Sequence, residues 1–94
     1  MWVTNYGSDS VTELNASNGA VVGTYPVGGQ PWGIAFDGTN MWVTNSGSNT
    51  VSKLRASDGA DEGTFAVGRY PWGIAFDGAN IWVANHGDGT LSKR

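Results

Sequence analysis

The sequence predicts an all-β protein built from repeated four-stranded antiparallel sheets, and three observations lead to this fold class. The chain repeats itself every 40 residues: residues 1–40 share 26 identities with residues 41–80, and residues 81–94 begin a third copy. Turn residues divide each copy into short segments rich in side chains that favour strands. The fifteen glycines, together with Asn, Ser and Thr, interrupt every window long enough to hold a helical period.

One copy of the repeat contains four strand segments in succession. The first, residues 31–37, alternates Trp, Ile and Phe with Gly and Ala, so one face is bulky and the other is almost bare. The turns before the fourth segment contain Asn18-Gly19 and Asp58-Gly59, pairs that favour a type I′ turn with two residues at positive φ. The predicted strands are 1–6, 10–16, 20–28, 31–37, 41–46, 50–56, 61–68, 71–77, 81–86 and 89–94.

Meanders of four antiparallel strands at this period are typical of the blades of a β-propeller. The bare face of segment 31–37 suits the innermost strand, where neighbouring blades approach each other most closely. The sequence then divides into a partial blade of three strands (1–30), a complete blade (31–70) and a second partial blade of three strands (71–94). The alternative that remains open is an irregular β-solenoid made from the same strands.

The two partial blades predict an assembly. The first lacks its innermost strand and the last lacks its outermost strand, so we expect the chain to be unstable as a monomer and to join head to tail with copies of itself. Each copy contributes two blades, which predicts a closed ring of six blades in a trimer or eight in a tetramer. A ring of seven blades would require one subunit to pair differently from the others.

Composition narrows the possible functions. The net charge of −3 and the five scattered Lys and Arg residues do not favour nucleic acid as a partner. No apolar run is long enough to span a bilayer, and the first residues already belong to the repeat, without a signal peptide. The sequence contains no cysteine, and we expect no metal and no cofactor. We expect the chain to be either a segment of a longer repeat protein or a deliberately short form of one.

The repeat resembles the YVTN-type β-propeller family. The resemblance rests on Trp-Val-Thr-Asn-Ser-Gly-Ser-Asn-Thr-Val at 42–51, Phe-Ala-Val-Gly at 65–68 and Pro-Trp-Gly-Ile-Ala at 71–75, with Trp in place of the motif's Tyr. The resemblance implies a propeller fold and an extracellular or cell-surface location. The related streptogramin lyases use a His and acidic residues to bind magnesium, and no motif in this chain matches that set.

Comparison of the two copies predicts where a ligand would bind. In a propeller blade, the turn between strands two and three and the crossover to the next blade lie on one face, and many of the differences between copies fall there. This face predicts a ligand site, although surface loops also diverge by drift when nothing selects them. The candidate ligand-binding residues are Tyr6, Gln30, Ser46, Arg69, Tyr70 and His86.

The residues that could support catalysis or metal binding are few. His86 has no nucleophile or orienting acid nearby in sequence, so we interpret it as a loop residue. Asp37 and Asp77 are interpreted as turn residues, because one carboxylate per loop is too few for a calcium shell. The five tryptophans could stack on sugars, but their regular spacing favours core packing for all of them.

The sequence therefore predicts a structural or ligand-binding propeller module without catalysis of its own, whose ligand is a small molecule or a glycan. The alternative is a fragment of a propeller enzyme of lyase or hydrolase type, whose catalytic residues lie on blades outside this chain.

Overall fold

The structure, a computed structural model, describes all residues 1–94 and contains three antiparallel sheets. The first sheet has three strands, the middle sheet four and the last sheet three, each in chain order. A single 3-10 turn at Tyr6–Ser8 lies in the loop between the first two strands, and there is no α-helix. The strands are β1 (Trp2–Asn5), β2 (Ser10–Leu14), β3 (Val21–Pro26), β4 (Pro31–Phe36), β5 (Asn40–Asn45), β6 (Thr50–Arg55), β7 (Asp61–Ala66), β8 (Pro71–Phe76), β9 (Ile81–Asn85) and β10 (Thr90–Lys93).

The predicted all-β class is confirmed, and every predicted strand has its counterpart with bounds that differ by at most two residues. Every pair of neighbouring strands is antiparallel, which excludes the parallel coils of a solenoid. The type I′ prediction for the turns was wrong. Gly19 and Gly59 have positive φ, but Asn18 and Asp58 do not. Instead, the side chain of each of these two residues accepts a hydrogen bond from the backbone N–H two residues later, which stabilises a wider turn.

The core consists of two layers of side chains, one between each pair of neighbouring sheets. Between the first and middle sheets, Val11 packs with Met41, Val43 and Leu54. Between the middle and last sheets, an equivalent group is formed by Trp42, Val51, Ile81 and Val83. Because residues alternate along a strand, Val43 faces the preceding sheet while Trp42 faces the following one. Each sheet is thus covered on both faces only if it has a neighbour on both sides.

The bare face of the innermost strand has the role that the sequence predicts. A Cβ atom at Gly33 in β4 would overlap the carbonyl oxygen of Trp72 and crowd the side chain of Ile74, both in β8. Glycine is therefore needed at this position so that β8 can lie directly on β4. Gly73 is the equivalent residue in β8, and a Cβ there would meet only the methyl group of Ala84.

Candidate functional site

The variable loops of the sequence form one surface, which we call the upper face: the loops after β1, β5 and β9 and the crossovers that lead into β4 and β8. Backbone hydrogen bonds join these segments in the same way in both copies. Ser46 N donates to Gln30 O at 3.0 Å, and His86 N donates to Tyr70 O at 2.9 Å. The variable residues thus lie on a shared backbone frame that holds their side chains close together.

Side chains from the preceding sheet fix each crossover. Asp9 Oδ1 accepts a hydrogen bond from Gln30 N at 2.9 Å, and Asn49 Oδ1 accepts one from Tyr70 N at 3.0 Å. All four residues have positive φ, between 51° and 58°. Asp and Asn adopt this left-handed region readily, whereas Gln and Tyr do so at a cost of about 1–2 kcal/mol. The strain at Gln30 and Tyr70 is tolerated because the frame holds the backbone from both sides.

Four aromatic rings follow one another across the upper face, and we call this row the aromatic ladder. Tyr6 meets the ring of Trp32 edge to face at 5.6 Å between centroids. Trp32 stacks on Trp72 at 5.5 Å, and Trp72 stacks on the imidazole of His86 at 4.1 Å with the rings within 5° of parallel. The ladder therefore crosses all three sheets.

Threonines of one sheet hold the ladder tryptophans of the next. Thr4 Oγ1 donates to the carbonyl oxygen of Trp32 at 3.1 Å, and Thr44 Oγ1 makes the same bond to Trp72 O at 3.0 Å. Thr44 Oγ1 also accepts a hydrogen bond from Gly33 N at 2.8 Å. The last sheet has Ala84 at this position and so lacks the hydroxyl. The Thr of each repeat thus positions the Trp of the following repeat.

The ladder tryptophans are not core residues, and here the prediction from the sequence was wrong. Trp32 is 53% exposed and Trp72 is 40% exposed, whereas Trp42 in β5 is only 7% exposed. The indole N–H of Trp42 donates to Asp37 Oδ2 at 2.8 Å and that of Trp82 donates to Asp77 Oδ2. The N–H groups of the two ladder tryptophans have no such partner within the protein, so they are free to donate to a ligand.

Asp37 and Asp77 are turn residues, as the sequence predicts. Oδ1 of Asp37 accepts hydrogen bonds from the backbone N–H groups of Thr39 and Asn40. Burial raises the pKa of Asp37, but the hydrogen bonds from Trp42, Asn40 and Thr39 and the charge of Lys53 together outweigh it, so its pKa is lowered from 3.8.

Asp77 makes the equivalent bonds in the last sheet. The hydrogen bonds from Asn80 N, Trp82 Nε1 and Ala79 N lower the pKa of Asp77 from 3.8 to about 2. Both carboxylates are therefore occupied by groups that hold the turn and the neighbouring indole in place, as expected for turn residues.

The structure brings five of the six candidate ligand residues to accessible positions on the upper face. Tyr6 and His86 are the two ends of the ladder. Tyr70 is exposed, and the Arg69 guanidinium makes no salt bridge. Ser46 is the exception: it is buried, and its Oγ donates to Gln30 O at 2.8 Å. Ser46 supports the crossover and is not placed to contact a ligand.

Sequence reasoning missed Trp32 and Trp72 as candidate site residues. The available signal was their position, since each lies at the start of an innermost strand directly after a variable crossover. Their equal spacing in the repeat instead favours core packing. The same spacing also places them on neighbouring strands of adjacent sheets, where the two rings stack.

Two cavities lie at the open sides of the molecule. One, of about 430 Å³, lies on the last sheet and includes Trp72, Gly73, Ala84 and Leu91 in its lining. The other, of about 370 Å³, is entirely apolar in its lining. Its lining residues are Met1, Trp2, Phe36, Met41 and Ala56.

No group of three or more His, Cys, Asp or Glu side chains is arranged to hold a metal ion. The structure contains no helix with the length and apolar character needed to cross a membrane.

No protein-family model and no curated protein matches this chain. Among solved structures it is similar to hydrazine synthase from Kuenenia stuttgartiensis, with a TM-score of 0.84 and 31% identity over 88% of this chain. The matched region is 25% of the hydrazine synthase chain, so this chain spans about a quarter of the structure it matches. Hydrazine synthase contains a propeller, and the similarity supports the assignment of these sheets to the β-propeller architecture.

Proposed function

We propose that this chain is a ligand-binding β-propeller module, without catalysis of its own, that joins with copies of itself into a closed ring. The observation that carries the proposal is the aromatic ladder on the upper face. Large aromatic rings that remain exposed, with polar N–H groups that no protein atom uses, are characteristic of recognition surfaces. The upper face also carries Arg69 and Tyr70, which add a cation and a phenol beside the ladder.

The surroundings of His86 favour binding over catalysis. A general base needs a proton donor within hydrogen-bond reach and a group that orients the ring. The imidazole of His86 is stacked on Trp72, and no hydroxyl, carboxylate or carbonyl of the protein forms a hydrogen bond with its nitrogens. We therefore assign His86 to the contact surface of the ladder.

The ligand class that we propose is a small molecule or a glycan. Aromatic rings contribute apolar contact area, and the indole N–H groups with Gln30 and Arg69 supply hydrogen bonds to hydroxyl or carbonyl oxygens. The resemblance to YVTN-type repeats, which occur in surface-layer and secreted proteins, agrees with this class.

A glycan array and a small-molecule screen monitored by tryptophan fluorescence test the proposal. Exchange of Arg69→Gly with Tyr70→Gln reproduces the first copy of the repeat and should weaken binding at least tenfold without unfolding the chain. The matched control is Thr39→Ala, which reproduces the second copy on the opposite face and should leave binding unchanged. Binding that depends on the Asp37 and Asp77 turns instead would contradict the proposed face.

A fragment of an enzyme is the second candidate. It is favoured by one observation, the similarity to hydrazine synthase, whose chain is about four times as long as the matched region. In that case the catalytic residues lie on other blades, of a lyase or a hydrolase. The glycan array separates the two candidates, because the proposed module binds its ligand with the 94-residue chain alone, whereas an enzyme fragment needs blades outside this chain.

For the assembly, we propose a symmetric head-to-tail ring of three or four chains. The ring would cover the two sheet faces that have no neighbour within one chain, and each chain would add two blades to a total of six or eight. The particle mass in solution, compared with 9.9 kDa for one chain, tests this part of the proposal.

A further inference from the structure

The two ends of the molecule show how copies of the chain would join, because the same contacts already occur twice inside it. Val43 and Val83 face the preceding sheet and are 0% exposed, whereas the equivalent Val3 is 41% exposed. Val51 faces the following sheet and is 0% exposed, whereas the equivalent Leu91 is 68% exposed. The exposed faces of the first and last sheets are thus copies of surfaces that are covered elsewhere in the molecule.

A strand is absent at one defined place in the first sheet. In the middle and last sheets, β5 and β9 pair on their inner edge with β4 and β8. The strand β1 has the same sequence as β5 over Trp-Val-Thr-Asn, but its inner edge has no partner. Unpaired strand edges bind further strands readily.

The absent strand leaves a gap of the right shape. In the interior of the molecule, the bulky face of β8 packs on the bare face of β4 at Gly33. The bulky face of β4 itself has no such cover, and Phe36 is 52% exposed. The apolar cavity of about 370 Å³ lies at this place, beside Met1, Trp2 and Phe36. A strand with a bare face opposite Phe36 would fill the gap.

The strand β8 has that bare face. Its sequence, Pro-Trp-Gly-Ile-Ala-Phe, is identical to that of β4, and Gly73 and Ala75 form its bare side. The larger cavity of about 430 Å³ lies on this side of β8 and includes Gly73 and Leu91 in its lining. The bare side of β8 and the gap beside Phe36 are therefore complementary, and each chain carries one of them at each end.

We infer that β8 of one chain inserts beside β1 of a second copy and completes a four-stranded blade with that copy's β1, β2 and β3. This inference rests on the proposed ring and states how it forms. The register of β8 with β9 pairs Ile74 with Val83 and Phe76 with Ile81. In the exchanged blade, Ile74 pairs with Val3 of the second copy and Phe76 pairs with Met1 of the second copy. Val3 and Met1 thus replace Val83 and Ile81, and the paired side chains remain apolar. The strands β9 and β10 of the donating chain are displaced together with His86, and Tyr6 of the second copy, which holds the same repeat position, takes its place beside Trp72.

The hydroxyl group at the fourth position of the repeat favours insertion of β8 beside β1 of a second copy. The alternative is that the intact last sheet of one chain packs on the intact first sheet of the next. Thr4 and Thr44 each hold the next sheet's tryptophan through its carbonyl oxygen, but Ala84 has no hydroxyl for this bond. Stacking of intact sheets would place Ala84 against a first sheet that has no innermost strand, so no threonine bond could form at that joint. Exchange places Thr4 beside β8, and Thr4 already binds Trp32 of its own chain. Every step around the ring then contains the threonine bond.

Disulfide trapping tests the inferred register, because the chain has no cysteine of its own. The double variant Val3→Cys with Ile74→Cys should form covalent oligomers on oxidation, since directly opposed residues of paired strands lie within disulfide reach. The matched control is Val3→Cys with Leu91→Cys, which reproduces the contact of Val83 with Val51 and reports stacking of intact sheets. Cross-linking of the control pair in preference to the first pair would overturn the inference.

A second measurement needs no cysteine. Gly73→Val blocks the bare face of β8, while the nearest atom within one chain, the Ala84 methyl group, is 3.6 Å from the added Cβ. This variant should remain at 9.9 kDa and unfold at a lower urea concentration than wild type, because a lone chain leaves both end faces uncovered, whereas wild type should have three or four times that mass. Leu91→Glu lies on a displaced strand and should assemble like wild type. A folded wild-type monomer, or dissociation by Leu91→Glu, would overturn the exchange.

Ligand binding separates the failure of this inference from the failure of the proposed function. Tyr6, Trp32, Trp72 and His86 all belong to one chain, so a folded monomer retains the ladder. A monomeric wild type that still binds its ligand through Arg69 would overturn the exchange and leave the binding function standing.

Discussion

The two kinds of tryptophan in this molecule occupy the same repeat but have opposite environments. Trp42, on the second strand of the middle sheet, is buried between two sheets and donates its N–H to Asp37. Trp32 and Trp72, on innermost strands, are exposed and stack on each other. Equal spacing in a repeat therefore produces equal backbone positions, while the neighbouring sheet decides whether a side chain is covered.

The largest expected effect separates the two kinds directly. Trp42→Ala should reduce the free energy of unfolding by about 3–5 kcal/mol, because it leaves a large cavity between the middle and last sheets. Trp32→Ala should reduce the free energy of unfolding by about 1 kcal/mol, since it removes ring stacking but leaves no buried cavity. Urea denaturation measures both. Equal losses of stability for the two variants would contradict the assignment of Trp42 to the core and of Trp32 to the surface.

The next effect concerns the carboxylate that holds the buried indole. Asp37→Ala removes the acceptor of three hydrogen bonds and leaves the N–H of Trp42 without a partner, so we expect a loss of about 1–2 kcal/mol. Asp77→Ala should reduce the free energy of unfolding less than Asp37→Ala, because Asp77 and Trp82 lie in the last sheet, where one face is exposed. Thermal unfolding of the two variants side by side gives the ranking, and a reversed order would contradict it.

The same carboxylates should make stability depend on pH in the acid range. The folded-state pKa of Asp37 lies below 3.8 and that of Asp77 is about 2, so their ionised forms are stabilised by folding. Their contribution is fully present above pH 3.8 and is lost as pH falls through the folded pKa, toward pH 2. In the double variant Asp37→Asn with Asp77→Asn, the free energy of unfolding should depend less steeply on pH between pH 4 and pH 2 than in wild type. An unchanged slope would exclude these groups as its cause.

The smallest effect is spectroscopic. Acrylamide should quench the emission of exposed Trp32 and Trp72 more strongly than that of buried Trp42. Trp72→Phe should therefore lower the quenchable fraction of the fluorescence, and Trp42→Phe should raise it. A ladder that was covered in solution would give the same quenchable fraction in both variants.

Much of the fold could be predicted from the chain because the relevant interactions are local. Turn residues such as Gly19 and Gly59 mark where strands end, and alternation of bulky and small residues defines the two faces of β4. The turn type was predicted wrongly because the side chains of Asn18 and Asp58 stabilise a wider turn that the Asn-Gly and Asp-Gly pairs do not reveal. The variable loops were placed on one face correctly, since hairpin order alone determines which loops are neighbours.

The candidate site was less predictable, because its contacts join residues far apart in the chain. Tyr6 meets Trp32 across a sheet boundary, and Trp32 meets Trp72 one full repeat later. Ser46 looked equivalent to Tyr6 and His86 in sequence, yet its short hydroxyl turns inward to Gln30. Side-chain length and the neighbouring crossover decide such outcomes.

The antiparallel sheets, their order and the glycine at position 33 follow from the amino-acid sequence, because periodicity, turn chemistry and the steric size of residues act within one repeat. Which tryptophans are buried, which carboxylates hold them and where the ladder lies depend on contacts between repeats. Burial is set by the sheet that packs against each face. In the first and last sheets that neighbour is absent on one side, so identical positions such as Val3 and Val43 differ completely in exposure.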